Sequence, residues 1–305
     1  MKLTHDEWLE ERRKGIGGSD AAAIVGLNPY ATPFSVWADK TGRSKPKKDT
    51  EAMRQGRDLE QYVADRWMEA TGKKCRRRTQ ILRNKEYPFA HANVDRWVVG
   101  ENAGLECKTT NMMNLKKFKD GKEYPDTYYC QCMHYMAVTG ADRWYLSVVV
   151  LGQGYYEFTI ERDEEEIKAL MDVEREFWEF VKTDTAPPVD GLKATTDIIN
   201  GMYANSYETD ESLDLFGRET SINAYFALKD QIAELSKEKE RIEQELKTDL
   251  GNFEEGTAGS YIVKWKPRTR NSFQVKEFQK EYPDMDLSPF YKTTSYRAFE
   301  IKEVK

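Results

Sequence analysis

The stretch that decides the fold is residues 95–108, which reads DRWVVGENAGLECK. Alternating apolar and polar residues on both sides of a turn that contains glycine and asparagine are typical of two antiparallel strands joined by a short loop. A four-residue loop pairs Val99 with Gly104. In that register Asp95 lies opposite Lys108.

This register brings three charged side chains to one face of the hairpin. It also places Trp97 opposite Glu106. Because side chains alternate between the two faces of a strand, Asp95, Glu106 and Lys108 project together. Cys107 points to the other face. A slip of one residue would separate the three charges, so the prediction depends on the register.

Two carboxylates and an ammonium group are costly in a half-buried sheet unless they are paired or bind an ion. A hard cation such as Mg²⁺ or Mn²⁺ offsets that cost, because it prefers oxygen ligands. Such an ion can polarise a phosphate and lower the pKa of a bound water, and Lys108 can orient that water or neutralise developing charge. The alternative is an exposed hairpin with an ordinary surface ion pair.

Other polar side chains are expected close to the hairpin. A helix predicted over residues 52–71 carries Glu60, which can bring a third carboxylate to the same cleft. On the helix predicted after the hairpin, Tyr128, Gln131 and Tyr135 share one face because of their i, i+3 and i+7 spacing. The glutamine can hold a water or a phosphate oxygen, and the tyrosines can stack on a sugar or base. Each of them would also serve as a core or capping residue.

The rest of the chain predicts an α/β fold, a central sheet flanked by helices. Strands are predicted over residues 79–82, 89–92, 94–99, 105–109, 144–150 and 155–160, and helices over 6–14, 19–26, 33–41, 52–71, 128–139 and 163–182. The Ala-Pro-Pro sequence at 186–188 marks a break. We therefore assign residues 1–186 to a catalytic domain and residues 187–305 to a smaller C-terminal extension.

The extension is predicted to be helical and α+β. After a polar stretch over residues 195–214, residues 221–250 predict one long amphipathic or coiled-coil helix. Its apolar stripe consists of Ile222, Tyr225, Leu228, Ile232, Leu235, Ile242 and Leu246. We interpret the stripe as packing within the extension, and partner binding is the alternative. Residues 261–266 and 296–302 predict two further strands.

Composition and charge limit the classes of function. The net charge of −6 over 305 residues argues against a protein that coats nucleic acid with its whole surface. It leaves room for a local basic groove or for an ordinary solvated face. Basic residues cluster in two places, at Lys73, Lys74, Arg76, Arg77, Arg78, Arg83 and Lys85 and again at Lys264, Lys266, Arg268 and Arg270.

Targeting and cysteine usage predict a cytoplasmic protein. The first fifteen residues are charged where a secretory signal requires an apolar run, and no stretch approaches membrane-spanning length. The four cysteines form no C-x-x-C pair, and only three histidines accompany them, so a structural zinc site is not expected. All four cysteines are predicted to be free thiols.

A glycine turn near the amino terminus is the second informative feature. Residues 15–18 read GIGG, and Ser19 or Asp20 can cap the short Ala-rich helix that follows. Successive amide N–H groups at a helix start form an anion site suited to a terminal phosphate. It is not a P-loop, since no Gly-Lys-Ser/Thr follows. The alternative is a plain tight turn with a helix cap.

These motifs together resemble a known family. The order Gly56-x-x-x-Glu60, Asp95, Glu106-x-Lys108 and Gln131 resembles the PD-(D/E)XK nuclease superfamily, and more narrowly the YqaJ-type viral recombinases, a group similar to lambda exonuclease. Residues 13–20, RKGIGGSD, with the Ala-rich helix and Asn28-Pro29-Tyr30 resemble the amino-terminal pattern of that group. The resemblance covers residues 8–182, and Val94 stands where the literal motif has proline.

The resemblance implies a restriction-endonuclease-like mixed sheet and a Mg²⁺-dependent 5′-to-3′ exonuclease. Such an enzyme acts on linear double-stranded DNA, with Mn²⁺ as a substitute for Mg²⁺, and leaves 3′ overhangs for recombination. The metal ligands it implies are Asp95, Glu106 and the carbonyl of Cys107. The other catalytic residues it implies are Lys108, Glu60 and Gln131, and the 5′-phosphate falls to Ser19 with Arg12 or Arg13.

The same resemblance implies partners, and two rival functions remain. A phage single-strand annealing protein would take up the overhang, and the chain would form a homo-oligomer such as a ring-shaped trimer around DNA. One rival is a site-directed or structure-selective endonuclease with the same hairpin. The second is a noncatalytic DNA-binding scaffold whose extension carries the function, and the presence of Asp95, Glu106 and Lys108 together weighs against it.

Overall fold

The computed structural model describes residues 5–45, 49–205 and 212–303 and consists of helices and mostly short strands. The chain divides into two compact units, Met1–Ala204 and Asn205–Lys305. In chain order the elements of the first unit are α1 (His5–Arg13), β1 (Ile16–Gly17), α2 (Gly18–Ile24), α3 (Pro33–Lys40), α4 (Glu51–Thr71), β2 (Cys75–Arg77), β3 (Leu82–Arg83), β4 (Ala90–Ala92), β5 (Arg96–Val98), β6 (Ala103–Thr110), α5 (Asp126–Thr139), β7 (Arg143–Val150), β8 (Gly154–Glu161), α6 (Glu164–Lys182) and α7 (Lys193–Met202).

A five-stranded mixed sheet with the order β2-β5-β6-β7-β8 organises this unit. β6 pairs in parallel with β7 over eight residue pairs, and the crossover that a parallel pair requires is supplied by α5. β5 pairs with the other edge of β6 in the antiparallel direction. A small three-stranded sheet, in the order β1-β4-β3, carries the glycine turn. The predicted α/β core of a mixed sheet flanked by helices is confirmed.

The two faces of the sheet are covered by different helices. On one face, Ala64 and Trp67 of α4 pack with Val98 and Leu105 in a small cluster. The opposite face belongs to the main core, in which Trp144 of β7 lies with residues of α2, α3 and α5. Because α5 covers this face, its polar side chains can meet those of β6.

The hairpin register differs by two residues from the predicted one. Trp97 pairs with Gly104, where the sequence pairing predicted Glu106. The loop still has four residues but lies at 99–102 instead of 100–103, and its residues bond outside the hairpin: Glu101 accepts from the hydroxyl of Tyr145 at 2.7 Å, and Asn102 donates to the Gly140 carbonyl at 2.8 Å. An even shift keeps every side chain on its predicted face. Extending the pairing by one step places Asp95 opposite Glu106 instead of Lys108.

Other boundaries changed for equally local reasons. The strand predicted over residues 79–82 is present only at Leu82, the first residue of β3, and β2 lies before it; β2 pairs with β5 and β3 pairs with β4. The first unit also extends beyond the domain boundary predicted at residue 186. It does so because the polar stretch contains α7, whose Thr195 is buried and bonds Thr32 on the cap of α3 at 2.8 Å.

The second unit contains α8 (Glu219–Leu250), β9 (Glu255–Ala258), β10 (Tyr261–Lys264) and α9 (Val275–Glu281), followed by a 3₁₀ turn, Ser288–Phe290. The predicted long helix and first strand are present, and β10 forms a hairpin with β9. The strand predicted over residues 296–302 is irregular chain instead. Among the described residues of both units, no helix is long and apolar enough to cross a membrane.

The apolar stripe of α8 does not pack within the extension as interpreted from the sequence. Its large side chains from Tyr225 to Leu246 are 39–70% exposed. In the described part of this unit only Leu250 is buried, so the stripe has no core of its own to join. Exposed apolar rows of this spacing are typical of helices that pair with another helix.

Candidate active site

The carboxylates lie where β5 and β6 separate. Asp95 stands one residue before β5, so its backbone leaves the ladder while its side chain bridges back to β6. The Cys107 N–H donates to Asp95 Oδ2 at 2.9 Å. Glu106, on the adjoining position of β6, is 3% exposed. The bond from the Cys107 N–H thus holds the Asp95 side chain against β6, and Glu106 is held by its position on that strand. The predicted convergence of the two carboxylates is present.

Glu106, Lys108 and Gln131 all contact one another. Lys108 Nζ lies 2.6 Å from Glu106 Oε1, and Gln131 Nε2 donates to the same oxygen at 2.8 Å. Lys108 Nζ also donates to Gln131 Oε1 at 2.9 Å. The amide therefore holds the cation with one end and the carboxylate with the other. The sequence predicted that α5 would deliver Gln131 to this face, and it does.

Burial and mutual repulsion control the protonation of this group. Burial raises the pKa of Asp95 well above its ordinary value, and the negative charge of Glu106 raises it further, against the opposing effect of Lys108. Burial lowers the pKa of Lys108, but Glu106 and Asp95 raise it by more, so the lysine stays protonated. Without a further cation, two carboxylates therefore share one ammonium group.

The donor set fits a hard divalent ion. Glu106 Oε2 is buried and has no hydrogen-bond partner among the described residues, although Oε1 has two. Within the described part of the chain no three His, Cys, Asp or Glu side chains are arranged to hold a metal. Mg²⁺ does not require three, because it is usually bound by one or two carboxylates and retains several waters.

Cys107 can contribute only its backbone to such an ion. Its side chain packs against the cluster beneath α4, on the face opposite the carboxylates. The N–H and C=O of one strand residue point to the same side, so the Cys107 carbonyl faces the side on which its N–H meets Asp95. Burial raises the pKa of the Cys107 thiol well above its ordinary value. All four cysteines are free, as predicted.

Glu60 is held apart from the carboxylate pair. Its Oε1 accepts from Arg96, and from Arg77 Nη2 at 3.0 Å. Arg96 is 2% exposed and also donates to the Asp95 carbonyl at 2.7 Å. Arg96 thus connects Glu60 to Asp95. The negative charge of Glu60 adds to the rise in the pKa of Asp95. Sequence reasoning missed Arg96, although an arginine beside the motif aspartate was visible.

The two tyrosines of α5 differ in what they can do. The half-buried Tyr128 presents its ring 5.2 Å from Lys108 Nζ, a cation–π contact beside the site. Tyr135 is 5% exposed, and its hydroxyl accepts from Gln131 Nε2 at 2.8 Å. A buried ring has no free face for a base. The structure therefore gives Tyr135 a positioning role on Gln131 in place of the predicted stacking.

The glycine turn opens onto the same cleft as the carboxylates. A cavity of about 190 Å³ is lined by Arg12, Gly17, Gly18, Ser19, His91, Asn93, Asp95 and Tyr135. Arg12 Nη2 donates to Ser19 Oγ at 2.9 Å, so both residues predicted to meet a phosphate face this cavity. Arg13 does not line it. The geometry selects Arg12 of the two candidate arginines.

A buried ion pair holds the turn in shape. Asp20 Oδ2 accepts from the Gly17 N–H at 3.0 Å and from Lys40 Nζ at 2.6 Å. Lys40 also donates to the Arg12 carbonyl at 3.0 Å. Burial opposes ionisation of Asp20, but Lys40 and Arg12 outweigh it and lower its pKa. Sequence reasoning named Asp20 only as a cap and missed Lys40, because their contact joins two helices.

The basic cluster beside β2 is already partly paired. Lys73 lies 2.7 Å from Glu101, Arg77 is bonded to Glu60, and the Arg78 guanidinium lies 5.1 Å from the Trp97 ring centroid. In the second unit, Lys264 lies 3.1 Å from Glu255. These contacts agree with the interpretation of a solvated face at least as well as with a free basic groove.

Comparisons with known proteins bear on this site. The model of the YqaJ-like viral recombinase domain matches residues 7–142. The chain is 40% identical over 308 residues to the uncharacterized protein YqaJ of Bacillus subtilis (strain 168), and the match covers 99% of this chain and 96% of the relative.

Solved structures show the same fold. The alkaline exonuclease LHK-Exo of Laribacter hongkongensis gives a TM-score of 0.50 at 20% identity, covering 59% of this chain and 94% of that one. Its complex with dAMP gives a TM-score of 0.51 at the same identity and coverage. The first unit therefore has a restriction-endonuclease-like fold. With a relative 40% identical over nearly its whole length, the chain belongs to the YqaJ-like viral recombinase family.

Proposed function

We propose that this chain is a Mg²⁺-dependent exonuclease that digests linear double-stranded DNA from 5′-phosphorylated ends in the 5′-to-3′ direction. The observation that carries the proposal is the buried Glu106 Oε2 beside Asp95 and Lys108, which no other described residue contacts by a hydrogen bond. Carboxylates in this arrangement are costly unless an ion binds. The family and an exonuclease fold support the same class of reaction.

Each residue has a distinct part in the proposed hydrolysis. Asp95, Glu106 and the Cys107 carbonyl hold the ion, for which Mn²⁺ can substitute. When bound, Mg²⁺ polarises the scissile phosphate and lowers the pKa of a water. Lys108 orients the attacking water and offsets charge that develops on the phosphate. Gln131, through its contacts at 2.8 and 2.9 Å, keeps Glu106 and Lys108 in position.

The cleft accounts for the proposed polarity. Arg12 and Ser19 line the cavity that also contains Asp95, so a terminal phosphate bound there lies beside the carboxylates. A phosphate binds well to a guanidinium and to N–H groups at a helix start. Holding the 5′-terminal phosphate in this cavity would leave the chemistry to act near that end and leave a 3′ overhang.

Substrate topology separates the exonuclease from its rivals. One plasmid is incubated with Mg²⁺ in circular and in linearised form, with EDTA as the metal-free control. The linear form should disappear progressively, and the circle should remain intact. Nicking or cutting of the circle would favour the site-directed or structure-selective endonuclease, and binding without digestion would favour the scaffold. Duplexes labelled at the 5′ or 3′ end then report the direction.

Single substitutions test the site within the same assay. Lys108→Ala and Glu106→Gln should each lower the digestion rate by roughly 10²–10³-fold while DNA binding is retained. The matched control is Glu161→Gln, because Glu161 is an exposed carboxylate on β8 whose side chain is 63% accessible. A full rate for Glu106→Gln would remove the site assignment.

The partners follow from the proposed reaction. A cytoplasmic phage single-strand annealing protein would take up the 3′ overhang as it forms. The exposed stripe of α8 supports self-association, because its apolar spacing suits a second helix of the same kind. A homo-oligomer, such as a ring-shaped trimer around the duplex, would keep the enzyme on its substrate. Light scattering at the assay concentration checks this, and a mass of one chain would reject it.

A further inference from the structure

His91 is a fully buried imidazole that the proposed chemistry does not use. It belongs to β4, where it pairs in register with Gly17 of β1. Its exposed fraction is 0%, and neither ring nitrogen has a hydrogen-bond partner among the described residues. It also lines the cavity that contains Arg12 and Ser19. A buried polar group without a partner destabilises the fold, so such groups usually meet a ligand or solvent.

The glycine turn is built around this ring. A Cβ on Gly15 would lie 3.0 Å from His91 Nδ1 and 2.8 Å from the Phe89 carbonyl. A Cβ on Gly17 would lie 3.2 Å from His91 Nε2. Side chains at these two positions would therefore crowd the imidazole. The glycines keep the main chain close to the ring, which is a second reason for the GIGG sequence besides anion binding.

The ring is neutral, and its surroundings favour an anion. Burial and, to a smaller extent, the nearby charge of Lys40 lower the pKa of His91 to about 3. A neutral imidazole has one N–H donor and one acceptor nitrogen. Arg12 adds a guanidinium to the same cavity, and Ser19 adds a hydroxyl. Asp20, the nearest carboxylate of the turn, is already bonded to Lys40.

We propose that His91 is a specificity residue, whose ring N–H donates a hydrogen bond to the terminal 5′-phosphate of the DNA. This inference rests on the proposed exonuclease function. Arg12 supplies the charge that attracts the phosphate, and His91 supplies a directional donor from beneath the glycine turn. A 5′-hydroxyl end brings no anionic oxygen into the cavity, so it gains nothing from either residue.

The test compares two ends on one duplex. Wild type, His91→Phe and His91→Gln digest duplexes of identical sequence that carry a 5′-phosphate or a 5′-hydroxyl, and kcat/KM is measured for each. Phe removes the donor but fills the space, whereas Gln keeps an N–H. For His91→Phe the ratio of kcat/KM on 5′-phosphate ends to kcat/KM on 5′-hydroxyl ends should fall about tenfold or more. His91→Gln should restore part of the preference.

Other outcomes separate the possible failures. Equal loss on both ends would show a purely structural role, and an unchanged preference would remove His91 from recognition; either result overturns the inference. If the wild type digests no linear duplex, the proposed function and the inference both fall. If it digests both ends equally, the exonuclease activity stands, and phosphate recognition falls together with the inference on His91.

A second measurement avoids a variant at this position. In ¹⁵N-histidine-labelled protein with Ca²⁺ in place of Mg²⁺, the 5′-phosphorylated duplex should shift one buried imidazole and the 5′-hydroxyl duplex should not. A His5→Gln background leaves His91 and His134 as the only two rings. Identical spectra with both duplexes would overturn the inference, even if His91→Phe fails to fold.

Discussion

Replacing Asp95 with asparagine should stabilise the metal-free protein while it abolishes digestion. In the folded state the pKa of Asp95 lies well above its ordinary value, mainly because of burial and then because of Glu106. An acid whose pKa is raised in the folded state lowers the stability of the protein progressively as the pH rises from the unfolded pKa towards the folded pKa, and the loss is complete above the folded value. Asparagine removes the charge, and its oxygen can still accept from the Cys107 N–H.

The expected gain is of the size of an ordinary single-residue effect. A gain of about 1 kcal/mol in the free energy of unfolding raises the Tm of a cooperative unit the size of Met1–Ala204 by about 2–4 °C. The sign follows because burial and repulsion by Glu106 together outweigh the opposing effects of Lys108 and of the Cys107 N–H.

Calorimetry in EDTA and in Mg²⁺ measures both consequences. In EDTA at pH 7.5 Asp95→Asn should melt above the wild type, and added Mg²⁺ should raise the wild type but not the variant. Asp172→Asn is the matched control, because Lys168 and Arg175 lower the pKa of this surface carboxyl group. The control variant should therefore lower Tm slightly. A lower Tm for Asp95→Asn in EDTA would refute the electrostatic reasoning, and an equal response to Mg²⁺ would refute the metal site.

Three further predictions concern packing, pH and end recognition. Gly104→Ala should lower the free energy of unfolding by about 1–3 kcal/mol in urea melts, because the new Cβ would lie 2.2 Å from the Trp144 ring. The control is Gly201→Ala, which should be neutral or slightly stabilising because its new Cβ would meet no described atom within 4 Å. Burial lowers the pKa of His134, but the buried Glu174 raises it by more, so the pKa in the folded state lies above 6.5. The pair of His134 and Glu174 therefore stabilises the fold fully below pH 6.5, and that stabilisation is lost as the pH rises through the folded-state pKa of His134. Glu174→Gln should therefore flatten that decline, and an unchanged slope in melts from pH 6 to 9 would contradict it. Arg12→Ala should weaken binding of 5′-phosphorylated duplexes at least tenfold in Ca²⁺ and spare 5′-hydroxyl duplexes, and equal weakening of both would remove Arg12 from the phosphate site.

The face of the hairpin was predictable, but its register was not. Side-chain alternation alone placed Asp95, Glu106 and Lys108 together, and a register error of two residues left that conclusion intact. The position of the loop is held by bonds from Glu101 and Asn102 to distant residues. Such bonds have no local pattern in sequence, since their partners lie about forty residues away.

The contacts that finish the site were also beyond local patterns. Spacing on α5 identified Gln131 but did not show that its amide bridges Lys108 and Glu106. Glu60 was expected beside the carboxylates, and the buried Arg96 binds it instead. The sequence predicted both α4 and α5, but it did not show that they would cover opposite faces of the sheet.

By itself the amino-acid sequence determined the α/β class, the helices other than α7 and α9, and the set of acidic, basic and amide groups, because periodicity and residue type act over a few neighbouring residues. Tertiary structure alone decided which arginine faces the cleft, how Glu60 is held, and that His91 lies beneath the glycine turn. These outcomes depend on strand pairing and on burial between elements far apart in the chain. Burial also controls charge, so the raised pKa of Asp95 is a property of the fold and not of its neighbours in sequence.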